Sequence, residues 1–286
     1  MATKVYRVRF FKVNVRSVDP DDVLTAPDLF LNIGRQAING LCPNVPSDGL
    51  GFEIRDYVRH NRGAVCQGVF ATIRDDAPHI REAQGSERAI LLGNDEGILE
   101  KNHFIYYANQ SVLVYQINMR ASHPTRLESY LQTMAGMGHA VTLDDMLTRD
   151  AWEKLRHGVV KQFDVTFDYP RDPANYNPTD FSAENMRIMQ AAEAARVRVV
   201  LKATHGGGIS RWARTTAREL KRDPQVRRLS VKLEGEDSPI DLFTEVIKDK
   251  ITVPIQNGYP ISNDTFQELE AAKRRAQASI DEHLGN

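Results

Sequence analysis

Arg211, Arg214 and Arg218 recur every three or four residues in SRWARTTARELKRD (Ser210–Asp223), and Lys221 and Arg222 continue the row. On a helix turning roughly 100° per residue, these five cations share an arc of about 100°. Anion binding is the chemistry such a row offers, because a guanidinium fork matches two phosphate oxygens at once. The segments on either side extend the pattern. In RVRVVLKA, Arg196, Arg198 and Lys202 alternate with Val197, Val199 and Leu201; in RRLSVKLE, Arg228 and Lys232 alternate with Leu229, Val231 and Leu233, and Arg227 precedes them. Period-two alternation predicts strands with one basic and one apolar face. From Arg196 to Lys232 eleven cations face only Glu219 and Asp223, a local charge of +9 in a chain whose formal net charge is −1. A solvated helix face ordinarily mixes signs, since opposite charges at i,i+4 stabilise and like charges repel. The excess therefore points to an anionic partner.

Thr204-His205-Gly206-Gly207-Gly208 precedes the predicted basic helix, but it has neither the GxxxxGK[ST] of a P-loop nor GxGxxG. A charged stripe longer than one phosphate site fits a polyanion, and duplex DNA held by its backbone is the expected partner. Aromatic residues that would stack single-strand bases are not evident nearby; Trp212 falls on the helix's apolar side with Ala213, Thr216, Ala217 and Leu220. An acidic protein meeting the same face stays open as an alternative. No nucleophile elbow, HExxH, zinc cluster or kinase signature occurs, so neither catalytic nor metal residues are assigned, and no cofactor is expected. The acidic groups DPDD (Asp19–Asp22), RDD (Arg74–Asp76) and GEDSP (Gly235–Pro239) read as solvated loops. Arg55-x4-His60 has the spacing of the HEPN ribonuclease motif, which must sit on a helix, whereas GFEIRDYV reads as a strand.

The elements that would position these residues follow from periodicity. KVYRVRFFKVNV predicts a half-buried strand, DLFLNIGRQAING a helix ending on glycine, and GFEIRDYV and VCQGVFATIR two strands. HFIYYANQSVLVYQIN (His103–Asn118) predicts a hairpin turning at Ala108–Asn109–Gln110, and HPTRLESYLQTMAGMG a helix from Pro124 to Gly136. The Gly- and Asp-rich stretch from Gly136 to Asp150 suggests a boundary between an N-terminal mixed domain (1–150) and a C-terminal α/β domain (151–286). In the second, the strand VVKQFDVTFDY, a helix capped by Thr179 or Asp180, a short helix Ile240–Asp249, the strand KITVPI and a helix from Asp264 to Leu284 are expected. The fold class is α+β: two mixed lobes, antiparallel-rich, with flanking helices. Of 286 residues 41% are hydrophobic and 26% charged, which argues against disorder. With two cysteines and no long apolar run, a disulfide framework and membrane insertion are both unexpected, and a cytoplasmic setting is the default.

From the hairpin onward the order of features resembles the Rex-type exclusion proteins of temperate phages. The matching stretches are HFIYYANQSVLVYQINMRASHPTRLESYL, VVKQFDVTFDYP, RWARTTARELKRDPQVRRLSVKLEGEDSPIDLF and FQELEAAKRRAQASIDEHL, about two-thirds of the chain. The resemblance implies a non-enzymatic, homodimeric protein that binds DNA without sequence preference. It also implies a two-domain fold related to the recombination-associated protein RdgC, and a role in phage exclusion or in biasing the lysogeny decision. A membrane-protein partner encoded nearby stays unknown. The family offers no short DNA-binding signature, so the site residues rest on charge alone: Arg196, Arg198, Lys202, Arg211, Arg214, Arg218, Lys221, Arg222, Arg227, Arg228 and Lys232.

Overall fold

A computed structural model describes residues 2–17, 23–74, 79–81, 83–93, 96–118, 120–170, 180–204, 207–221, 223, 225–236, 239–242 and 245–284. At Arg149, Asp150, Trp152, Glu153, Asp180, Ser210, Arg211, Arg214 and Arg218 only the backbone is described. The chain divides into two compact units: Met1–Met146 with Ile247–Leu284, and Leu147–Val246. The expected break near residue 150 is close to the first crossing point, but the expected C-terminal domain is too long, because its last segment belongs to the first unit. The reason is strand pairing. The chain leaves after Met146 and returns at Ile247, whose N–H donates to the Met146 carbonyl at 2.7 Å.

In the first unit β1 (Thr3–Ser17) alternates cleanly, with Tyr6, Val8 and Phe10 on one face and Phe11 and Val13 on the other. Its length serves three antiparallel partners: β14 (Lys248–Gln256) along its first half, β8 (Val112–Ile117) along its middle and β9 (His139–Asp145) along its end. The sheet continues through β7 (Ile98–Tyr107), β4 (Val65–Arg74), β3 (Leu50–His60) and β2 (Val45–Ser47), and β15 (Tyr259–Pro260) extends β14. A separate two-stranded ribbon is formed by β5 (His79–Arg81) and β6 (Glu87–Ala89). The β7–β8 hairpin turns where expected, with Ser111 at φ 49°.

Helix α1 (Ala26–Gln36), capped by the Thr25 hydroxyl accepting from Asp28 N–H, buries Leu29, Phe30 and Ile33 against one face. Each such side chain contributes about 1.5–3 kcal/mol. Helix α2 (Pro124–Ala135) covers the same face with Leu127, Tyr130 and Leu131 and stops at Gly136, whose φ of 85° suits glycine alone. The opposite face is covered by α6 (Ser262–Leu284) through Phe266, Leu269, Ala272 and Ile280. The helix therefore packs within its own unit.

The second unit opens with α3 (Arg149–His157). Its sheet has the order β11 (Arg196–Lys202), β10 (Val160–Asp168), β12 (Val226–Leu233), β13 (Ile240–Asp241), all antiparallel. The α/β character expected of this half gives way to the α+β fold of the whole chain. Phe163, Val165, Phe167, Val197, Val199, Leu201, Leu229 and Val231 form the inner face. Helices α4 (Asp180–Ala191) and α5 (Ser210–Leu220) lie on it through Met186, Met189, Ala213, Ala217 and Leu220. The short helix expected over Ile240–Asp249 is instead β13 and then the start of β14, because Ile240 and Asp241 pair with Val231 and Ser230. The cap residue Thr179 lies outside the described residues. No helix among the described residues is long and apolar enough to cross a membrane.

Candidate nucleic-acid interface

The second unit's sheet has an inner apolar face, so its other face is fixed by parity. Antiparallel register aligns Arg198 with Thr166, Val200 with Asp164, and Lys202 with Gln162 on one side of β10. On the other side it aligns Arg228 with Thr166, Ser230 with Asp164, and Lys232 with Gln162. At the end of the face Arg196 sits opposite Asp168. The register shifts between Thr166 and Phe167, so that Thr166 faces Arg228 while Phe167 faces Val226. Arg227 is the extra residue of this β-bulge, which leaves both Arg227 and Arg228 exposed. Six of the sequence-predicted cations thus share one face: Arg196, Arg198, Lys202, Arg227, Arg228 and Lys232.

The helix cations do not join them. Helix α5 lies on the inner face of the sheet, so Arg211, Arg214 and Arg218 belong to an element across the sheet from Arg198 and Arg228. Lys221 is the C-cap of that helix, and Arg222 and the side chains of the three arginines lie outside what is described. Trp212 touches Phe163 and Phe181 edge-on at 5.2 and 5.6 Å, in keeping with its expected place on the apolar side, although 40% of it stays exposed. Asp223, one of the two acids set against the basic run, is buried and accepts from the Ser182 hydroxyl and the Gln225 N–H.

The expectation of an uncompensated cluster fails on the open face itself. Asp164 and Asp168, from the middle strand, sit beneath the arginines. Arg198 grips Asp164 with two bonds of 2.9 and 2.6 Å, while Asp168 accepts from Arg196 at 2.6 Å and from Arg227 at 2.7 Å. The hydrogen bonds from Arg196 and then Arg227 hold the Asp168 carboxyl down to about 2, and that from Arg198 depresses Asp164. Arg196 and Arg198 are pushed up in return. Asp241, opposite Ser230, adds a third carboxylate at the far edge. Lys202, Arg228 and Lys232 make no ion pair within the described residues, although the Arg228 charge also lowers Asp164. Counted by folded unit, residues 147–246 hold 17 Lys and Arg against 15 Asp and Glu, so the local +9 becomes +2.

The remaining sequence candidates come out as follows. Arg55 and His60 lie on strand β3, not a helix; their partners on β4, Val69 and Val65, are four residues or about 13 Å apart. Arg55 donates to Glu53 at 2.5 Å. The helical placement that the HEPN spacing requires is absent there. Asp19, Asp21, Asp22, Asp75, Asp76 and Asp237, and His205 with Gly206 of the glycine loop, lie outside the described residues. Gly207 closes a turn onto the Thr204 carbonyl and accepts from Lys161 Nζ. No group of three or more His, Cys, Asp or Glu among the described residues is placed to hold a metal ion.

No protein-family model matches the chain, and no curated protein matches it significantly.

Proposed function

We propose that the open face of the β11–β10–β12–β13 sheet binds the phosphate backbone of duplex DNA without sequence preference. One observation carries this reading: strands β11 and β12 and a bulge present six cations on one face, and three of them, Lys202, Arg228 and Lys232, make no ion pair among the described residues. Between them the face offers Gln162, Thr166 and Val200, with no aromatic residue among the described residues there to stack an unpaired base. Backbone contacts to a duplex, which carry no sequence information, suit such a surface. Asp164 and Asp168 keep the interaction weak, because they already engage three of the six cations. The feature order shared with Rex-type exclusion proteins supports the same reading and adds a homodimer acting in phage exclusion or the lysogeny decision. Sedimentation of the pure chain tests the dimer.

The test of binding is a gel-shift titration of duplexes of unrelated sequence with wild type and with the triple variant Lys202→Ala, Arg228→Ala, Lys232→Ala. All duplexes are expected to shift alike, and the triple variant to lose binding to all of them equally. Wild-type affinity in the triple variant would remove the open face from any role in binding.

A further inference from the structure

We infer that Ser262 is a nucleophile, with His103 as its general base and Gln116 as the group that orients the base, giving the first unit an acyl-transfer site for activated esters and thioesters. The three residues come from β7, β8 and the first turn of α6, and a chain of hydrogen bonds joins them. Gln116 Oε1 accepts from the backbone N–H of His103 at 3.0 Å and lies 2.7 Å from His103 Nδ1. A backbone N–H can only donate, so the Gln116 atom facing it is the carbonyl oxygen, and Nδ1 must carry the ring proton to bond the same oxygen. That fixes the tautomer. His103 Nε2 is left with its lone pair toward Ser262 Oγ, 3.0 Å away, and the hydroxyl donates to it. A nucleophile bonded to a base whose far nitrogen is held by a third group is the arrangement that proton abstraction from serine requires.

Three further features favour a reactive site over a structural tie. Gln116 is fully buried, and its Nε2 has no hydrogen-bond partner among the described residues. An apolar residue there would avoid that desolvation, at the loss of the tautomer lock. Phe266, one turn beyond Ser262, meets the His103 ring edge-on at 5.3 Å and keeps the imidazole aimed at the hydroxyl. The first bond of the α6 ladder runs from Thr265 N–H to Ile261 O, so the amides of Ser262, Asn263 and Asp264 precede it and can donate to an oxyanion.

In the reaction, Ser262 Oγ forms a bond to the acyl carbon while its proton passes to His103 Nε2. The carbonyl π pair moves onto oxygen. Collapse breaks the bond to the alcohol or thiol, which leaves with the proton from Nε2. Water then attacks the acyl-serine, again losing a proton to Nε2, and releases the carboxylic acid and free Ser262. Burial holds His103 down to about 4 against the Gln116 hydrogen bond, which raises it; Lys101 on β7 disfavours the protonated form and Asp56 on β3 favours it, while Ser262 is uncharged. With a neutral amide and not a carboxylate behind Nδ1, the imidazolium is only weakly stabilised, which suits leaving groups that need little protonation, hence aryl esters and thioesters and not amides.

The full chain is to be incubated with a fluorophosphonate probe and, separately, with p-nitrophenyl acetate, followed by intact-mass measurement and peptide mapping. A single adduct on Ser262 is expected, absent from Ser262→Ala and from His103→Gln. Gln116→Glu is expected to label about tenfold faster, because a carboxylate stabilises the transient imidazolium. A tie with no reactivity predicts no adduct in any of these proteins, and that result, or labelling that persists in Ser262→Ala, overturns the assignment.

Discussion

Replacing Asp164 and Asp168 together with Asn tests whether the middle strand of the second unit restrains its own arginines. Asn keeps the shape of each side chain and removes the charge that engages Arg196, Arg198 and Arg227. In the wild type three cations of the open face are unpaired among the described residues, so about three phosphates can be neutralised and log K falls against log salt with a slope of about −2.7. In the double variant the count rises to about six and the slope to about −5.4. Between 50 and 200 mM salt the wild type then loses about 40-fold in affinity and the variant about 2000-fold, with the variant binding tighter at the low-salt end. Fluorescence anisotropy with a labelled duplex over a salt series reads both quantities. Glu184→Gln, on α4 over the inner face, is the control: it changes net charge by one and should leave the slope alone. The arginine side chains are more than half exposed, so water solvates them once released and the fold survives, which thermal melting checks. Equal slopes in a folded double variant would refute the idea that these carboxylates compete with phosphate.

The same ion pairs have an acid signature. Asp168 is held down to about 2, below its unfolded value near 4, so its contribution to stability is present above about pH 4 and fades as pH falls toward 2. In Arg196→Ala, Arg227→Ala the Asp168 carboxyl should return toward its ordinary midpoint, read by NMR titration. His103 has the opposite sense: burial lowers it to about 4, so the unfolded chain binds the extra proton between about pH 6.5 and 4, and stability falls as pH drops through that window. Up to about 3 kcal/mol should be lost, and His103→Gln should flatten this part of a denaturant-midpoint profile. Cys42 and Cys66 are buried, and burial pushes the Cys42 thiol up to about 12 and raises Cys66. Both should resist alkylation in the native protein and react rapidly once it is unfolded, as measured by mass shift after iodoacetamide.

Local pattern carried most of the fold. The period-two runs became β1, β3, β4, β10, β11 and β12, and the glycine stop became the C-cap of α2, because each of these signals depends only on neighbours along the chain. What periodicity could not reveal was pairing at a distance. The stretch from Gly136 to Asp150 read as a boundary, yet it contains β9, whose Val141 and Leu143 pack into the core only because β1 runs on past β8 to receive them. KITVPI was legible as a strand, but nothing local says that it pairs with β1, whose sequence lies more than two hundred residues earlier. The expected helix at Ile240–Asp249 failed for the same reason: a two-residue strand is stabilised by β12 and not by its own sequence.

The candidate interface shows where counting charge along a sequence misleads. The window from Arg196 to Lys232 contains two strands of a sheet but not the strand between them. Asp164 and Asp168 lie 34 and 28 residues from Arg198 and Arg196, outside any such window, yet antiparallel pairing sets them within hydrogen-bond reach. The signal was available in FDVTFD, whose alternation sets Asp164, Thr166 and Asp168 on the polar face of a strand, opposite Phe163, Val165 and Phe167. A basic strand is uncompensated only if its hydrogen-bonded neighbour is not acidic, and that neighbour need not be near in sequence. Nor could alternation account for Arg227 beside Arg228, since a regular strand sends consecutive residues to opposite faces; the bulge resolves it. The serine and histidine of the first unit were harder still. His103 lies inside β7, and its hydroxyl partner arrives from a helix that follows the whole second unit in the chain.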